Sequence, residues 1–379
     1  MKEHILSLLV CPPCKANLTL QSFTQEHKEV KDGFLLCSCG QWFPIIHFVP
    51  RLLLREYRGD YRDFIKAYGL NHLEAKDFIS PHFVSREKQV QKSFGSKWMS
   101  QPTWGINGET KSFMRDWILD KYGWRNREGF KKAMESKRNI LDAGTGGGRV
   151  VADFCEVNKD GEVFGVDISE AVEAAYQNTK RYPNAHIIQA DLMELPFRKP
   201  MFDFILSEGV LHHTPDTRKA FETLQSFLIS GGEIAVYIYK KKGPIREFCD
   251  DHLRQFTTQF SEQECWEFSK RMSAFGKTLS DLHIEFEVAE DIPPLSIKAG
   301  KYNLQRFFYY HIFKCFWNDR FTFDENNLIN FDWYHPAHAW RHTPEELRTW
   351  CTQNDLDILW WLEEESGMTF RCRRKSNRA

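Results

Sequence analysis

The chain has 379 residues, which at roughly 150 residues per domain predicts two or three structural units. Hydrophobic residues make up 42% of it and charged residues 27%, values that are typical of a globular protein and exclude a disordered one. The 51 lysines and arginines nearly balance the 52 aspartates and glutamates, which argues against a protein that coats nucleic acid through its overall charge.

The first residues contain a short apolar run, Ile5 to Val10, between Lys2 and Cys11. The run is shorter than the core of about 7–15 residues that a secretion signal needs, and Val10 is too large for the residue before a lipoprotein cleavage site. Nothing in the sequence approaches the roughly 18 apolar residues of a membrane-spanning helix. We therefore expect an uncleaved, cytoplasmic chain whose ten cysteines are thiols or metal ligands and not disulfides.

Residues 1–52 have the pattern of a small β-rich segment that hydrophobic burial alone would not hold together. Its predicted strands are Leu18–Gln21, Gly33–Cys37 and Trp42–Ile46. The pairs Cys11-Pro12-Pro13-Cys14 and Cys37-Ser38-Cys39 supply four thiolates, which is typical of a tetrahedral structural zinc site. A redox-active CxxC is the alternative, but no thioredoxin-like βαβ pattern surrounds these cysteines.

Residues 53–136 are polar and largely helical in pattern, whereas residues 138–239 alternate between strands and helices. Such alternation predicts a parallel sheet with helices on both faces. The strands are predicted at Asn139–Ala143, Glu162–Asp167, His186–Gln189, Phe202–Ser207 and Glu233–Tyr239. The helices are predicted at Val150–Val157, Glu170–Thr179 and Asp216–Ile229, the last of which Gly231-Gly232 separates from the following strand.

Residues 240–342 form a long insertion that is helical and polar at first and rich in aromatic residues from Tyr302 to Tyr334. The run Thr343-Pro344-Glu345-Glu346 then predicts the start of a helix, with a threonine N-cap and a glutamate that closes a capping box. The segments Asp357–Leu362 and Met368–Arg373 predict a hairpin at the end of the chain.

The clearest motif is a glycine loop, Asp142-Ala143-Gly144-Thr145-Gly146-Gly147-Gly148, which follows the first strand of the alternating region. Glycines let the backbone approach a ligand closely, and the start of the following helix offers unpaired N–H groups. Asp167 ends the next strand, where a carboxylate can accept the hydroxyls of a ribose. Asp191 follows the third strand, where a carboxylate can accept the exocyclic amine of an adenine. The dinucleotide fingerprint G-x-G-x-x-G is not matched, because Arg149 stands at its third glycine.

At these residues the chain resembles a class I S-adenosylmethionine-dependent methyltransferase of the ubiquinone-biosynthesis-like branch. The other matching motifs are Gly165-Val166-Asp167-Ile168-Ser169, Ala190-Asp191-Leu192 and the run from Phe202 to His213. The resemblance implies an α/β fold with a doubly wound, Rossmann-like sheet of seven strands and S-adenosylmethionine as the cofactor. The expected organisation is a zinc ribbon (1–52), a helical connecting region (53–136), the cofactor-binding core (137–239), a helical and aromatic substrate lid (240–342) and a C-terminal helix and hairpin that complete the core (343–379).

The resemblance also implies which residues contact the cofactor. Asp142 and Gly144 are expected near its methionine part, Asp167 at the ribose, Asp191 with Leu192 at the adenine, and Ser207 with Glu208 at the amino-acid end. Thr145, Gly146 and Ile168 are further cofactor-binding candidates. The alternative for the glycines is a tight turn between strand and helix without a ligand.

The turn after the fourth strand bears on the chemistry. It is Ser207-Glu208-Gly209-Val210, unlike the Asn/Asp-Pro-Pro-aromatic turn of enzymes that methylate adenine or amide nitrogens, which argues against those reactions. His212 and His213 follow, and a histidine could deprotonate a hydroxyl during methyl transfer because its pKa lies near working pH. The alternative, which we favour for at least one of them, is that one caps the next turn and the other packs on the sheet.

The segment from Leu36 to Ile45 resembles the small zinc-ribbon family that partners tRNA and protein methyltransferases. The spacing from Cys39 to Phe43-Pro44 matches that family, whereas Cys37 lies one residue closer to Cys39 than its pattern has it. The resemblance implies a structural ribbon that caps or positions the catalytic domain. Its Zn²⁺ ligands would be Cys11, Cys14, Cys37 and Cys39.

Two further segments hold candidate site residues. The segment Ser93–Trp98 resembles one found ahead of the catalytic domain in many methyltransferases of this branch, which predicts Phe94 and Trp98 over the cofactor; a core aromatic pair is the alternative. The run Phe331–Pro336, predicted to be irregular, sets polar groups beside aromatic ones after the fifth strand, where doubly wound folds bind ligands. Its acceptor-side candidates are Asp332, Tyr334, His335 and His338, although aromatic stripes are more often core.

Three functions fit these patterns. We favour methyl transfer to a small-molecule or glycoconjugate acceptor, as O-methylation, because of the balanced charge, the aromatic insertion and the turn after the fourth strand. RNA base methylation is the alternative, since ribbon-bearing rRNA methyltransferases resemble this layout and basic residues cluster at 125–138, 240–242 and 371–378. The third is a protein that binds the cofactor without turnover.

Overall fold

The structure is a computed structural model that describes residues 1–70 and 84–376. The chain forms two compact units, of which the first comprises Met1–Tyr237, Arg348–Leu362 and Thr369–Ala379. The second comprises Ile238–Leu347 and Glu363–Met368. Part of the predicted helical connecting region, residues 71–83, lies outside the described residues.

A single sheet of eleven strands is the framework of the first unit. Its strands are β1 (Leu18–Glu26), β2 (Glu29–Cys37), β3 (Trp42–Ile46), β4 (Val49–Leu52), β5 (Asn139–Ala143), β6 (Glu162–Asp167), β7 (Ala185–Ala190), β8 (Phe202–Glu208), β9 (Leu228–Tyr239), β12 (Leu356–Glu363) and β13 (Gly367–Arg374). Their order across the sheet is β1-β2-β3-β4-β7-β6-β5-β8-β9-β13-β12. The remaining two strands, β10 (Glu285–Val288) and β11 (Gly300–Asn303), form an antiparallel pair in the second unit.

The centre of the large sheet is parallel, as the alternating pattern predicts. Strands β7, β6, β5, β8 and β9 pair in parallel, and most of their residues are buried because helices cover the sheet. The sheet is longer than the expected seven strands, because the N-terminal segment adds β1 to β4 to the seven strands β7-β6-β5-β8-β9-β13-β12. Antiparallel strands β1 to β4 join it where β4 pairs in parallel with β7, through Arg51 opposite Gln189 and Leu52 opposite Ala190.

The first unit contains helices α1 (Arg62–Ala67), α2 (Val84–Ser100), α3 (Gly108–Lys121), α4 (Arg127–Met134), α5 (Arg149–Val157), α6 (Ala171–Thr179) and α7 (Thr217–Gln225). Helices α1 to α4 come before the parallel core, and helices α5 to α7 alternate with its strands. Helix α12 (Pro344–Gln353) starts with the predicted capping box, in which the Thr343 N–H donates to Glu346 at 2.8 Å and the Glu346 N–H donates to the Thr343 hydroxyl at 3.3 Å. The predicted C-terminal hairpin is formed by β12 and β13.

The predicted helix Asp216–Ile229 is too long. Helix α7 ends at Gln225, and β9 begins at Leu228 and runs through the two glycines that were expected to precede it. The register shifts there, since Leu228 pairs with Phe202 and Glu233 with Phe204. Gly231 has a φ of 75°, so the glycines form a bulge inside the strand and do not end an element.

The second unit is mainly helical. It contains α8 (Pro244–Thr257), α9 (Glu262–Asp281), α10 (Leu304–His311) and α11 (Phe323–Tyr334). The expectation that Phe331–Pro336 is irregular is wrong for its first four residues, because a capping box of Thr322 and Glu325 starts a helix that continues to Tyr334. Within residues 1–70 and 84–376, no helix has the length and apolarity needed to span a membrane.

Candidate functional site

The glycine loop lies between β5 and α5 in a turn that only glycine fits. Gly144, Gly146 and Gly148 have φ values of 86°, 51° and 82°. The N–H groups of Gly144 and Thr145 both donate to the Val166 carbonyl, at 2.8 and 2.9 Å. A Cβ at Gly144 would lie 2.3 Å from Val210, and a Cβ at Gly146 would lie 2.4 Å from the Trp98 indole, so neighbouring side chains cover the loop directly.

Three carboxylates lie at the carboxyl ends of the neighbouring strands β5, β6 and β7. Asp142 is 2% exposed and accepts a hydrogen bond of 2.8 Å from the Thr145 hydroxyl. Asp167 accepts hydrogen bonds from the Gly146 N–H at 2.9 Å and from the N–H and hydroxyl of Ser169 at 2.9 and 2.6 Å. Because parallel strands end at the same edge of a sheet, the topology brings these groups and Asp191 together.

Burial disfavours negative charge at all three positions. It raises the pKa of Asp142 to about 7, although the Thr145 hydrogen bond opposes the shift. It also raises the pKa of Asp191 to about 6, against a hydrogen bond from the Met193 N–H. The pKa of Asp167 is raised for the same reason. A cationic ligand would favour the charged form of such carboxylates.

The residues at the end of β8 have different roles in the fold. Ser207 is fully buried, and its hydroxyl donates to the Ala143 carbonyl at 2.9 Å, which ties β8 to β5. Glu208 accepts hydrogen bonds from the Lys121 ammonium at 2.7 Å and from the Tyr122 hydroxyl. Sequence reasoning missed these two residues of the α3 region, since they lie 87 and 86 positions before their partner and belong to no motif.

Lys121 and Glu208 form a largely buried charge pair at the end of β8, and Tyr122 adds a neutral donor to the same carboxylate. Lys121 is 2% exposed, and its Nζ lies 3.2 Å from the centroid of the Tyr237 ring. Burial raises the pKa of Tyr122 well above its ordinary value, and the neighbouring Glu208 adds to the shift, so the phenol stays protonated and donates. The Glu208 side chain is therefore fixed by two donors.

His212 and His213 lie in a short 3₁₀ helix, Leu211–His213, and are 0% and 4% exposed. Their ring centroids are 4.5 Å apart. Phe94 lies 4.9 Å from His213, and Tyr237 lies 6.2 Å from His212, so both imidazoles are enclosed by aromatic groups. Their assignment as a general base stays a prediction.

Helix α2 contacts the glycine loop and the strand ends. The Trp98 ring packs against Gly146, and the Lys97 ammonium lies 5.6 and 5.1 Å from the ring centroids of Phe94 and Trp98. The Gln91 amide donates to the Ile168 carbonyl at 2.8 Å. Leu192, the remaining cofactor-side candidate, is buried at the start of a 3₁₀ helix, Leu192–Glu194. The roles of Phe94 and Trp98 at the cofactor stay predictions.

Comparison with known proteins identifies the core. Residues 134–293 match a family model described as a methyltransferase domain. The chain contains a class I S-adenosylmethionine-dependent methyltransferase domain. A demethylmenaquinone methyltransferase of Staphylococcus haemolyticus is 35% identical over 79 residues, 21% of this chain and 33% of the relative. A probable tRNA methyltransferase 9B of Bos taurus is 28% identical over 164 residues, 39% of this chain and 34% of the relative. The chain thus spans about a third of the length of these two relatives.

A solved structure of a 1,6-didemethyltoxoflavin-N1-methyltransferase of Burkholderia thailandensis, with 1,6-didemethyltoxoflavin and S-adenosylhomocysteine bound, is also similar. It is 15% identical to this chain, with a TM-score of 0.39. The match covers 80% of this chain and 93% of that one.

The four N-terminal cysteines form one cluster next to the core. Their Sγ atoms lie within 4.8 Å of one another, with 3.7 Å between Cys11 and Cys39 and 3.4 Å between Cys14 and Cys37. Tetrahedral zinc with Zn–S bonds of about 2.3 Å places sulfurs roughly 3.8 Å apart. The single residue between Cys37 and Cys39 does not prevent all four thiols from converging, so the cluster fits a structural zinc ion.

The acceptor-side candidates lie in the second unit, on and after α11. Tyr334 is fully buried, and its hydroxyl donates to the Lys314 carbonyl. His335 stacks on Phe331 with ring centroids 4.8 Å apart, and burial lowers its pKa. His338 stacks on Trp340 at 5.9 Å, while Asp332 is partly exposed. Tyr334 and His335 are packed within the unit, and the catalytic role of all four stays a prediction.

Several cations of the predicted basic clusters are paired with carboxylates. Arg127 lies 3.0 Å from Glu156, and Lys240 lies 2.6 Å from Glu363. Near the C-terminus, Arg371 and Arg373 share Glu233, at 3.7 and 2.9 Å, and Lys375 lies 3.9 Å from Asp357. Paired cations are weaker contacts for a phosphate backbone, which reduces what these particular residues could contribute to RNA binding.

Proposed function

We propose that this protein transfers the methyl group of S-adenosylmethionine to a small-molecule or glycoconjugate acceptor and forms an O-methyl product. The observation that carries the proposal is the meeting of the glycine loop with Asp142, Asp167 and Asp191 at the ends of three adjacent parallel strands. A net charge of −1 and the pairing of several cations in the basic clusters support a small acceptor over RNA.

These residues fit S-adenosylmethionine, which carries cationic groups, a ribose and an adenine. The charged form of the buried Asp142, whose pKa is about 7, would be stabilised by a cationic group. Three donors hold Asp167 in one orientation, which lowers the cost of ordering it against a ribose. When bound, S-adenosylmethionine supplies a methyl group that its sulfonium has already activated, so the protein mainly aligns the acceptor and removes a proton.

We assign the removal of that proton from the acceptor to His212 or His213. Both imidazoles are buried, and an imidazole in its neutral form can accept a proton from a hydroxyl as methyl transfer begins. Residues 240–342 are our candidate for acceptor selection, with Asp332, His335 and His338 as its contacts to the acceptor. Because the Tyr334 hydroxyl donates to a backbone carbonyl, we assign it a positioning role. Zn²⁺ at the four N-terminal cysteines would be structural, in line with the resemblance to the zinc-ribbon family. The motifs of the core are in line with the ubiquinone-biosynthesis-like branch of methyltransferases.

The test is to incubate the purified full chain with methyl-labelled S-adenosylmethionine and an extract of cells that lack the gene. The label is then separated into RNA, protein, lipid and low-mass pools. Label in the low-mass or glycolipid pool supports the proposal, and Asp167→Ala serves as the inactive control. Nuclease-sensitive label would contradict the proposal and favour RNA methylation. The absence of transfer to any pool, with intact binding of S-adenosylmethionine, would favour a non-catalytic protein.

Two histidine variants test the base. His212→Ala and His213→Ala should bind S-adenosylhomocysteine like the wild type, and the one that removes the base should lose at least about tenfold in kcat at neutral pH. The wild-type rate should rise with pH through the histidine pKa, and the active variant should keep that dependence. If both variants keep the rate and its pH dependence, neither histidine is the base.

A further inference from the structure

Helix α8 of the second unit turns charged residues inward and aromatic residues outward. Arg246, Asp250 and Arg254 follow one another at intervals of four, so they share a face of the helix, and they are 2%, 0% and 8% exposed. Phe248 and Phe256, on another face, are 72% and 54% exposed. Burying ions costs several kcal/mol each unless they are paired and hydrogen-bonded. The three buried charged side chains of this face therefore need ion-pair and hydrogen-bond partners.

Arg254 has its partners within the unit. Its guanidinium donates to the carbonyls of Trp333 and Pro336, the latter at 2.6 Å. Arg246 differs, because the hydrogen bond that ties it to Asp250 is a single one, from Nε to Oδ2 at 2.6 Å. The Nη1 atom of Arg246 and the Oδ1 atom of Asp250 are buried without a hydrogen-bond partner. Leaving such an atom unsatisfied costs about 1–3 kcal/mol, more for charged groups.

Two aromatic rings and a second buried cation surround this pair. The guanidinium carbon of Arg246 lies 5.4 Å from the ring centroids of both Tyr309 and Trp333. The ammonium of Lys314, which is 6% exposed, lies 5.4 and 5.3 Å from the same two centroids. The Nε1 atom of Trp333 and the Nε2 atom of His311 are also buried without a hydrogen-bond partner. Four polar atoms of one cluster are thus unsatisfied together.

The cluster carries an excess of positive charge. Its cations are Lys242, Arg246, Arg306 and Lys314, and the carboxylates near them are Glu247, Asp250 and Glu365. Burial lowers the pKa of Lys242 to about 7, and the nearby Arg246 and Lys314 add to the shift. Neighbouring Lys240 lies 2.6 Å from Glu363, and Arg341 lies 2.9 Å from Glu247, which also accepts the Lys242 N–H. Lys242, Arg306 and His311 are partly exposed, whereas Arg246 and Lys314 are buried.

We propose that this cluster binds an oxyanion, a phosphate or a carboxylate, with Arg246 and Lys314 as its charged contacts. Trp333 Nε1 and Arg246 Nη1 supply hydrogen-bond donors to the anion, and Asp250 Oδ1 accepts from a hydroxyl or amine beside it. An oxyanion satisfies the orphaned donors and compensates the buried charge in one step. That the anion belongs to the methyl acceptor rests on the proposed function; that the cluster binds an oxyanion does not.

The experiment is a calorimetric titration of the full chain with inorganic phosphate and, separately, acetate, at constant ionic strength. Arg246→Gln should weaken binding at least tenfold, whereas Asp250→Asn should leave it unchanged or strengthen it, because it removes a negative charge from the cluster. Lys270→Met, which removes an exposed cation of α9 paired with Glu267, is the matched control and should bind like the wild type. Tighter binding of phosphate than of acetate, or the reverse, distinguishes the two kinds of acceptor.

Arg246→Lys separates charge from fold, because it keeps the cation and should recover most of the binding lost in Arg246→Gln. Equal binding by the wild type and Arg246→Gln, an equal loss in Lys270→Met, or no binding of either anion by the wild type would each overturn the proposal. Binding of S-adenosylhomocysteine is measured on the same samples. If the anion binds and S-adenosylhomocysteine does not, the proposed function fails while the oxyanion site stands; the reverse result refutes only the oxyanion site.

Discussion

Replacing Gly146 by alanine should weaken cofactor binding through the backbone and Trp98, without removing any group that binds. The residue has a φ of 51°, in the left-handed region that costs other residues roughly 1–2 kcal/mol. Its new Cβ would lie 2.4 Å from the Trp98 ring. Ordinary contact begins at 3.4 Å, so the ring or the loop must move by 3.4 − 2.4 = 1.0 Å. That movement would displace the N–H that Gly146 donates to Asp167.

Gly231→Ala is the matched control, because its φ is 75° and the nearest atom to its Cβ, the Ser376 hydroxyl oxygen, lies 3.7 Å away. Both variants carry backbone strain, and only Gly146→Ala adds the clash. We expect the affinity for S-adenosylhomocysteine, measured by calorimetry, to fall at least tenfold in Gly146→Ala, or about 1.4 kcal/mol. In Gly231→Ala it should change less than twofold, and both melting temperatures should fall.

A double variant tests the cause. Trp98→Ala removes the ring, so adding Gly146→Ala to it should cost less affinity than Gly146→Ala costs in the wild type. Wild-type affinity for S-adenosylhomocysteine in Gly146→Ala would refute the role of the loop in cofactor binding. An equal loss of affinity with and without the tryptophan would refute the clash with Trp98 as its cause.

Three further predictions concern charge and metal. Asp142→Asn should stabilise the ligand-free protein more at pH 8 than at pH 5. The reason is that a pKa of about 7 for Asp142 in the folded state makes the wild type lose stability as the pH rises from about 4 to 7. Urea unfolding checks this, with the exposed Asp160→Asn as the control. Cys14→Ser should lose the one zinc ion expected per chain and melt at least about 5 °C lower, measured by elemental analysis and calorimetry, and retention of the metal would contradict the four-thiolate site. Arg51→Met should cost about 2–3 kcal/mol in urea unfolding, because Arg51 is 3% exposed and bonds Glu170, Glu173 and Gln189. The exposed Arg62→Met should stay within about 0.5 kcal/mol of the wild type, and an equal loss in both variants would show that the buried network is not the cause.

Local sequence determined the alternating core. Strands β5 and β6 have the predicted bounds, Asn139–Ala143 and Glu162–Asp167, because apolar runs that end in glycine or aspartate mark buried parallel strands without knowledge of the rest of the chain. The capping box at Thr343 and the positive φ values of the glycine loop are likewise set by residues a few positions apart. The same motifs led to the methyltransferase family, which the match over residues 134–293 supports.

Tertiary structure decided what depends on residues far apart in the chain. The pairing of β4 with β7 extends the sheet to eleven strands. It also brings the Arg51 side chain within hydrogen-bond distance of Gln189, 138 positions away in the chain. Three other features also depend on residues far apart in the chain: the bulge at Gly231, the two donors to Glu208 and the buried charges of α8. Neighbouring residues encode local propensity, turns and caps, whereas the partner of a buried charge or of a strand edge depends on which elements the topology brings together, and a single sequence does not record that choice in any local pattern.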